Sequence, residues 1–153
     1  MATFGAGCFW QAEAAFAQHL GILKTSVGYM GGHFANPSYL DVLARITGHA
    51  EVAQIHYEQA TVRYETLLNI FWRCHDPTTL NRQGPDRGEQ YRSVIFYHTP
   101  EQAIAARRSK FDLEAAGTYP DPIVTQIKPA TDYWLATPDH QQYFAQRSSK
   151  LDA

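Results

Sequence analysis

Ala2-Thr3-Phe4-Gly5-Ala6-Gly7-Cys8-Phe9-Trp10 opens the chain and decides how the rest is read. Ala2 to Ala6 reads as a short strand that turns at Gly5-Ala6-Gly7. Phe9, Ala12, Glu13, Phe16 and Leu20 then recur at helical spacing, and Gly21 sits where a helix stops. The same alternation continues outward. Residues 22–29 read as a strand ending at Gly31-Gly32, and Asn36-Pro37-Ser38 opens a short helix over Tyr39 to Ala44. Residues 50–57 alternate as a strand. Tyr64, Leu67, Leu68, Phe71 and Trp72 mark a helix with Pro77 beyond its end. Asp76 to Gln90 reads as irregular, and Tyr91 to His98 is the clearest strand. Thr99-Pro100-Glu101-Gln102 starts a helix running to Gly117, with Thr as N-cap, Pro at the first position and Gln reaching back. Two extended pieces, near 123–128 and 132–135, precede a last short helix from Pro138. Mixed strands and helices imply α+β or α/β, a sheet with helices packed on it.

The chain has 153 residues, which favours one domain over 1–153, large enough to build a core without staples. No linker, repeat or low-complexity segment interrupts it. Aromatic content of 13% and a net charge of −2 exclude disorder as the main state. Lys+Arg of 13 against Asp+Glu of 15 leaves no positive field for nucleic acid. Apolar runs as short as Val94-Ile95-Phe96-Tyr97 span no membrane, and the start carries no secretory signal pattern, so a cytoplasmic protein is expected. Two cysteines, Cys8 and Cys74, are too few for a disulfide framework.

Gly5-Ala6-Gly7 lacks the third glycine of a dinucleotide loop, because Trp10 stands there, and it lacks the Lys and Ser/Thr of a phosphate loop. Cys8 carries more. It follows a glycine turn and opens a helix, where backbone N–H groups favour a thiolate and are expected to lower the thiol pKa. Phe9 and Trp10 beside it provide walls for an apolar pocket. A structural cysteine in an aromatic core is the other reading of the same position. His49-Ala50-Glu51 matches the first half of a zinc deaminase motif, but no Pro-Cys-x-x-Cys follows, so no metal is expected. Position alone makes His49 an ordinary turn or strand-edge residue. Glu51 lies between Ala50 and Val52 at the start of an apolar strand. A carboxyl pointing into such surroundings is pushed toward its neutral form and can donate a proton; one pointing to solvent is not. Asn81 to Ser93 is a dense polar loop feeding a buried strand.

Together these segments resemble the A-type peptide methionine sulfoxide reductases. The resemblance runs through Gly7-Cys8-Phe9-Trp10, Val27-Gly28-Tyr29-Met30-Gly31-Gly32, Asn36-Pro37-Ser38-Tyr39 and Thr47-Gly48-His49-Ala50-Glu51-Val52. It continues through Phe71-Trp72-Arg73-Cys74-His75-Asp76-Pro77-Thr78, Asn81 to Ser93, and Asp139-His140-Gln141-Gln142-Tyr143. The motifs stand in family order over nearly the whole chain. The resemblance implies a two-layer α+β sandwich, a mixed sheet flanked by helices around a ferredoxin-like core. It implies Cys8 as nucleophile, Glu51 as proton donor to the sulfoxide oxygen, and Tyr39 and Tyr91 as hydrogen-bond donors to that oxygen. Phe9 and Trp10 become the cage for the substrate methyl, with Asp86 and His140 orienting the polar network and substrate backbone. The implied substrates are S-sulfoxides in oxidised proteins and as free methionine sulfoxide. The implied reductant is thioredoxin, glutaredoxin or a small thiol, with no organic cofactor and a monomeric enzyme.

Two departures stand out. Many members carry resolving cysteines in a C-terminal tail, whereas Gln146 to Ala153 holds none. Cys74, near the end of a helix beside Phe71 and Trp72, reads as core, so reduction of Cys8 by an external thiol is expected. Arg45 stands where many members have glycine, which puts the local turn in question. The competing readings are another cysteine-nucleophile enzyme (a thiol peroxidase, or an acyl transferase pairing Cys8 with His49 or His140) and an inactive methionine-binding module.

Overall fold

The computed structural model describes residues 1–152. In chain order the elements are β1 (Ala2–Ala6), α1 (Phe9–Ala17), β2 (Ile22–Met30), α2 (Tyr39–Leu43), β3 (Ala50–Tyr57) and α3 (Tyr64–Arg73). Then come β4 (Arg82–Gln83), β5 (Asp86–Arg87), β6 (Ser93–Tyr97), α4 (Pro100–Ala115), β7 (Gln126–Pro129), β8 (Trp134–Leu135) and α5 (Tyr143–Asp152). Six strands form one sheet in the order β7-β6-β1-β3-β2-β8. The central four are antiparallel, and β6 pairs parallel with β7, so the sheet is mixed. β1-α1-β2-β3-α3-β6 with strand order β6-β1-β3-β2 is the ferredoxin-like arrangement expected of an α+β sandwich.

Period-two alternation decides which strand residues meet the helices. Phe4 lies opposite Ala53 and Ile95, and Ala2 opposite Ile55, so these side chains share a face. α1 and α3 cover that face through Phe16, Leu67, Leu68 and Phe71, all fully buried. Phe4 stacks on Phe16 and on Phe71 with ring centroids 5.2 Å apart in each pair. By the same alternation Glu51, two residues before Ala53, faces the helices near the start of α1. The opposite face holds Met30, Ala50, Val52, Val94 and Phe96, under Ala130 and Tyr133.

Helix starts follow the local chemistry. Ser38 caps α2 with a full capping box: its hydroxyl accepts the Asp41 N–H at 3.1 Å, and the Asp41 carboxylate accepts the Ser38 N–H at 2.9 Å. Thr99 caps α4 as expected, but Gln102 reaches one residue further back, to the His98 N–H.

Several boundaries differ from the sequence expectation. α1 stops at Ala17, and Leu20 is 79% exposed in the turn that follows. The helical spacing of Leu20 therefore does not extend the helix, and its side chain lies in solvent. α4 ends at Ala115 rather than Gly117. The irregular stretch contains the β4–β5 hairpin, pairing Arg82 with Arg87 and Gln83 with Asp86. Tyr91 ends a 3-10 turn over Glu89–Tyr91, so the following strand begins only at Ser93 and stops at Tyr97. The last helix divides into a 3-10 turn, Pro138–His140, and α5, because Gln142 takes φ 46 between them. Among the described residues no helix is long and apolar enough to cross a membrane, and no His/Cys/Asp/Glu cluster suits a metal ion.

Candidate active site

The C-terminal end of β1 and the N-terminal ends of β3 and β6 lie at one edge of the sheet, and the chemistry gathers there. Gly7, at φ 91, makes the turn out of β1; a Cβ on it would stand 2.6 Å from the Gln83 side chain. Glycine is required on both counts. Cys8 is then the N-cap residue of α1, and its carbonyl accepts the N–H of Gln11 and of Ala12.

Cys8 is half-buried, and its thiol is pushed up to about 11. This corrects the expectation of a lowered value. Desolvation is the largest cause; backbone N–H groups of Trp10 and Gln11 pull the other way and lose. The Glu51 charge adds to the upward push only where Glu51 is ionised.

Glu51 is 1% exposed, and its carboxyl is pushed up to about 8, chiefly by burial. Oε1 accepts the Phe9 N–H at 3.2 Å, the amide next to Cys8, while Oε2 is buried with no hydrogen-bond partner. An orphaned buried oxygen is costly as an anion and suits an acid whose O–H awaits an acceptor. Near neutral pH the resting pair is therefore a thiol beside a carboxylic acid.

Tyr39, at the start of α2, and Tyr91, at the end of the 3-10 turn before β6, approach from two separate segments. Both are half-buried, and burial followed by the Glu51 charge raises each phenol to about 12. Both therefore remain hydrogen-bond donors across the physiological range. Asp86 lies on the hairpin close enough for its charge to raise Glu51, Cys8 and both phenols.

Phe9 is fully buried against Val27, Tyr29 and Val42, and stacks on Tyr39 with centroids 6.3 Å apart. Trp10 is half-buried: one contact is Tyr143, stacked at 3.7 Å and 7°. Its Nε1–H donates to His140 Nδ1 at 3.1 Å, and His140 packs 4.5 Å from Tyr39, centroid to centroid. The arrangement is an apolar wall beside a thiol, an acid and two phenols. It suits a substrate with one methyl and one basic oxygen on the same atom.

A model of the peptide methionine sulfoxide reductases matches residues 1–152. The chain belongs to this family. A peptide methionine sulfoxide reductase from Nostoc sp. is 62% identical over 149 residues, covering 97% of this chain and 91% of the relative. The reduced form of Mxr1 from Saccharomyces cerevisiae superposes with a TM-score of 0.89 at 32% identity, covering 96% of this chain and 84% of that one. Methionine sulfoxide reductase A of Corynebacterium diphtheriae gives a TM-score of 0.84 at 34% identity, over 96% and 74%.

In this member of the reductase family, the histidines named as partners for Cys8 are occupied elsewhere. His49, 2% exposed, accepts the Gly32 N–H through Nδ1 and bonds the Phe34 carbonyl through Nε2, pinning the loop after β2. His140 serves Trp10. A Cys–His acyl-transfer pair thus has no geometric support.

Sequence reasoning missed the clamp that holds the C-terminal segment over Trp10. Glu13, buried in α1, accepts the Thr25 hydroxyl at 2.8 Å and the backbone and side-chain N–H groups of Gln142, both at 2.9 Å. Gln141 bonds both backbone groups of Val27. The available signal was Glu13 itself, a carboxylate on the apolar stripe between Phe9 and Phe16, which must find donors. Trp10→Phe removes the indole donor and leaves buried His140 Nδ1 unpaired. It is expected to lower stability by about 1–2 kcal/mol in urea denaturation.

Proposed function

We propose that residues 1–153 form a single catalytic domain that reduces the S-sulfoxide of methionine, in oxidised proteins and as the free amino acid. The observation that carries this reading is the unpartnered Oε2 of Glu51, buried beside a half-buried thiol under an aromatic wall. Phe9 and Trp10 take the methyl. The sulfoxide oxygen takes the Glu51 proton and hydrogen bonds from Tyr39 and Tyr91, with Asp86 and His140 orienting the surroundings.

Cys8 sulfur attacks the sulfoxide sulfur as the oxygen is protonated, and the Glu51 carboxylate left behind receives the thiol proton. The balance is Cys–SH plus sulfoxide to Cys–SOH plus methionine; Cys8 sulfur is oxidised by two electrons, and the oxygen ends on it. A first external thiol then forms a mixed disulfide and releases water. A second restores Cys8 and leaves as a disulfide. Thioredoxin, glutaredoxin or a small thiol fits this role in the reducing cytoplasm, the location proposed for the protein.

Cys74 supports an external reductant. It caps the end of α3, packs against the core, and its S–H donates to the Phe71 carbonyl at 3.3 Å. Cys74→Ala is expected to leave single turnover unchanged, at one methionine and one thiol lost per chain, and to cost about 1 kcal/mol of stability. The test mixes reduced protein with racemic methionine sulfoxide and no other reductant, then counts methionine, thiols and added oxygen. Loss of two thiols with a drop of two hydrogens would make Cys74 a resolving partner. Absence of methionine would end the reductase reading.

A further inference from the structure

The segment that carries Tyr39 and the loop that carries Asp86 and Tyr91 reach the site separately, and one side chain joins them. Arg45 follows α2, where its N–H bonds the Val42 carbonyl at 3.0 Å, and its backbone takes φ 61. This left-handed region disfavours a residue with a Cβ and suits glycine. The side chain is exposed but engaged: Nη2 donates to the Arg87 carbonyl at 2.8 Å. Nε lies 2.8 Å from where a Cβ on Gly88 would stand, and Gly88 itself has φ 138. Glycine is required there by its φ and by the Gln90 side chain, whose Oε1 would stand closer still to that Cβ. The Gly88 N–H bonds the Asn81 carbonyl at 2.9 Å, closing the base of the hairpin, and the Tyr91 N–H bonds the Gly88 carbonyl at 3.1 Å. The Arg87–Gly88 step thus carries Asp86 on one side and the Tyr91 turn on the other, and Arg45 grips it.

We propose that Arg45 is a positioning residue for sulfoxide reduction, a strut that sets the spacing between Tyr39 and the Asp86–Tyr91 loop; this rests on the roles given to those residues above. The sulfoxide oxygen becomes more basic as its bond to sulfur weakens, so correctly spaced phenols matter most in the chemical step. Arg45 keeps an unfavourable backbone conformation in exchange for that spacing.

The experiment compares the parent chain with Arg45→Gly, Arg45→Lys, Tyr91→Phe and the Arg45→Gly/Tyr91→Phe double variant, reading single-turnover rate, KM and thermal midpoint. Arg45→Gly melts no lower than the parent, because glycine relieves the left-handed residue. Its single-turnover rate falls by about 3–30-fold while KM moves much less. Arg45→Lys, whose ammonium reaches the same carbonyl, recovers most of the rate. In the Tyr91→Phe background the Arg45→Gly loss shrinks, because the donor it positions is gone. An Arg45→Gly chain as fast as the parent overturns the strut, as does an equal loss in both backgrounds or a rate loss that tracks a lowered midpoint. A folded parent that releases no methionine overturns the functional reading, and the strut with it.

Discussion

Cys8→Ser releases no methionine above the uncatalysed background in single turnover, a loss of at least about four orders of magnitude, while the folded variant still binds methionine sulfoxide. The reason is chemical. A serine hydroxyl has a far higher pKa than even the raised Cys8 thiol and is a poor nucleophile toward sulfur. It also cannot accept the oxygen atom, because no stable hydroxyl counterpart of a sulfenic acid forms. The aromatic wall of Phe9 and Trp10 and the Glu51–Tyr39–Tyr91 donors are untouched, so affinity measured by calorimetry stays within about threefold of the parent. The same pair of measurements separates the alternatives. A binding module would show affinity and no turnover in both chains. A Cys8→Ser chain that still yields stoichiometric methionine would remove Cys8 from the role of nucleophile.

Glu51→Gln carries the second largest effect, and it moves activity and stability in opposite directions. The amide keeps the bond from the Phe9 N–H but has no acidic proton, so the chemical step slows by about 10²–10³-fold. The pH profile identifies the cause. In the parent the step weakens as pH rises through about 8, where Glu51 loses its proton. In the variant that descending limb disappears. For stability, the carboxyl is raised in the folded chain from its ordinary 4.5 to about 8, so the folded state holds a proton that the unfolded state has released. The stability associated with Glu51 is therefore complete below 4.5, is lost as pH rises between 4.5 and about 8, and is level beyond. Glu51→Gln removes that decline. Its amide nitrogen inherits the unpartnered position of Oε2, which offsets part of the gain. A net rise of about 1–3 kcal/mol is expected at pH 8, from urea melts at pH 5 and pH 8. A variant that is slow and less stable at pH 8 would show that Glu51 is structural and already ionised.

Much of the fold was legible because its signals are local. The Phe9, Ala12, Phe16 spacing, the Asn36-Pro37-Ser38 opening, the Thr99 cap and the apolar run over residues 50–57 each declare an element within a few residues, although that strand proves buried on both faces. The misplaced boundaries have separate local causes. Leu20 fits a helical stripe but lies exposed beyond the helix end, and the β4–β5 hairpin is only two residues on each strand, too short for any periodicity to register. Asn36, Arg45, Asn81 and Gln142 all take positive φ without being glycine, so the turns they make carry no glycine to mark them.

The candidate site divides in the same way. Motif order over nearly the whole chain singled out Cys8, Glu51, Tyr39 and Tyr91, with Phe9 and Trp10, as the residues we propose carry the chemistry. Sequence alone also determined that Glu51 opens an apolar strand. Tertiary structure decided the protonation states and the supports. Whether a helix N-terminus or burial governs the Cys8 thiol depends on how much water the folded site excludes, and burial wins. Whether Glu51 faces water or the thiol depends on strand register, which places it in line with Ala53 beneath α1. The Glu13–Gln142 clamp joins residues 129 apart, and the Arg45–Arg87 strut joins two loops. Contacts at such separations leave no periodic trace, because they exist only once the chain has brought both partners to the same edge of the sheet.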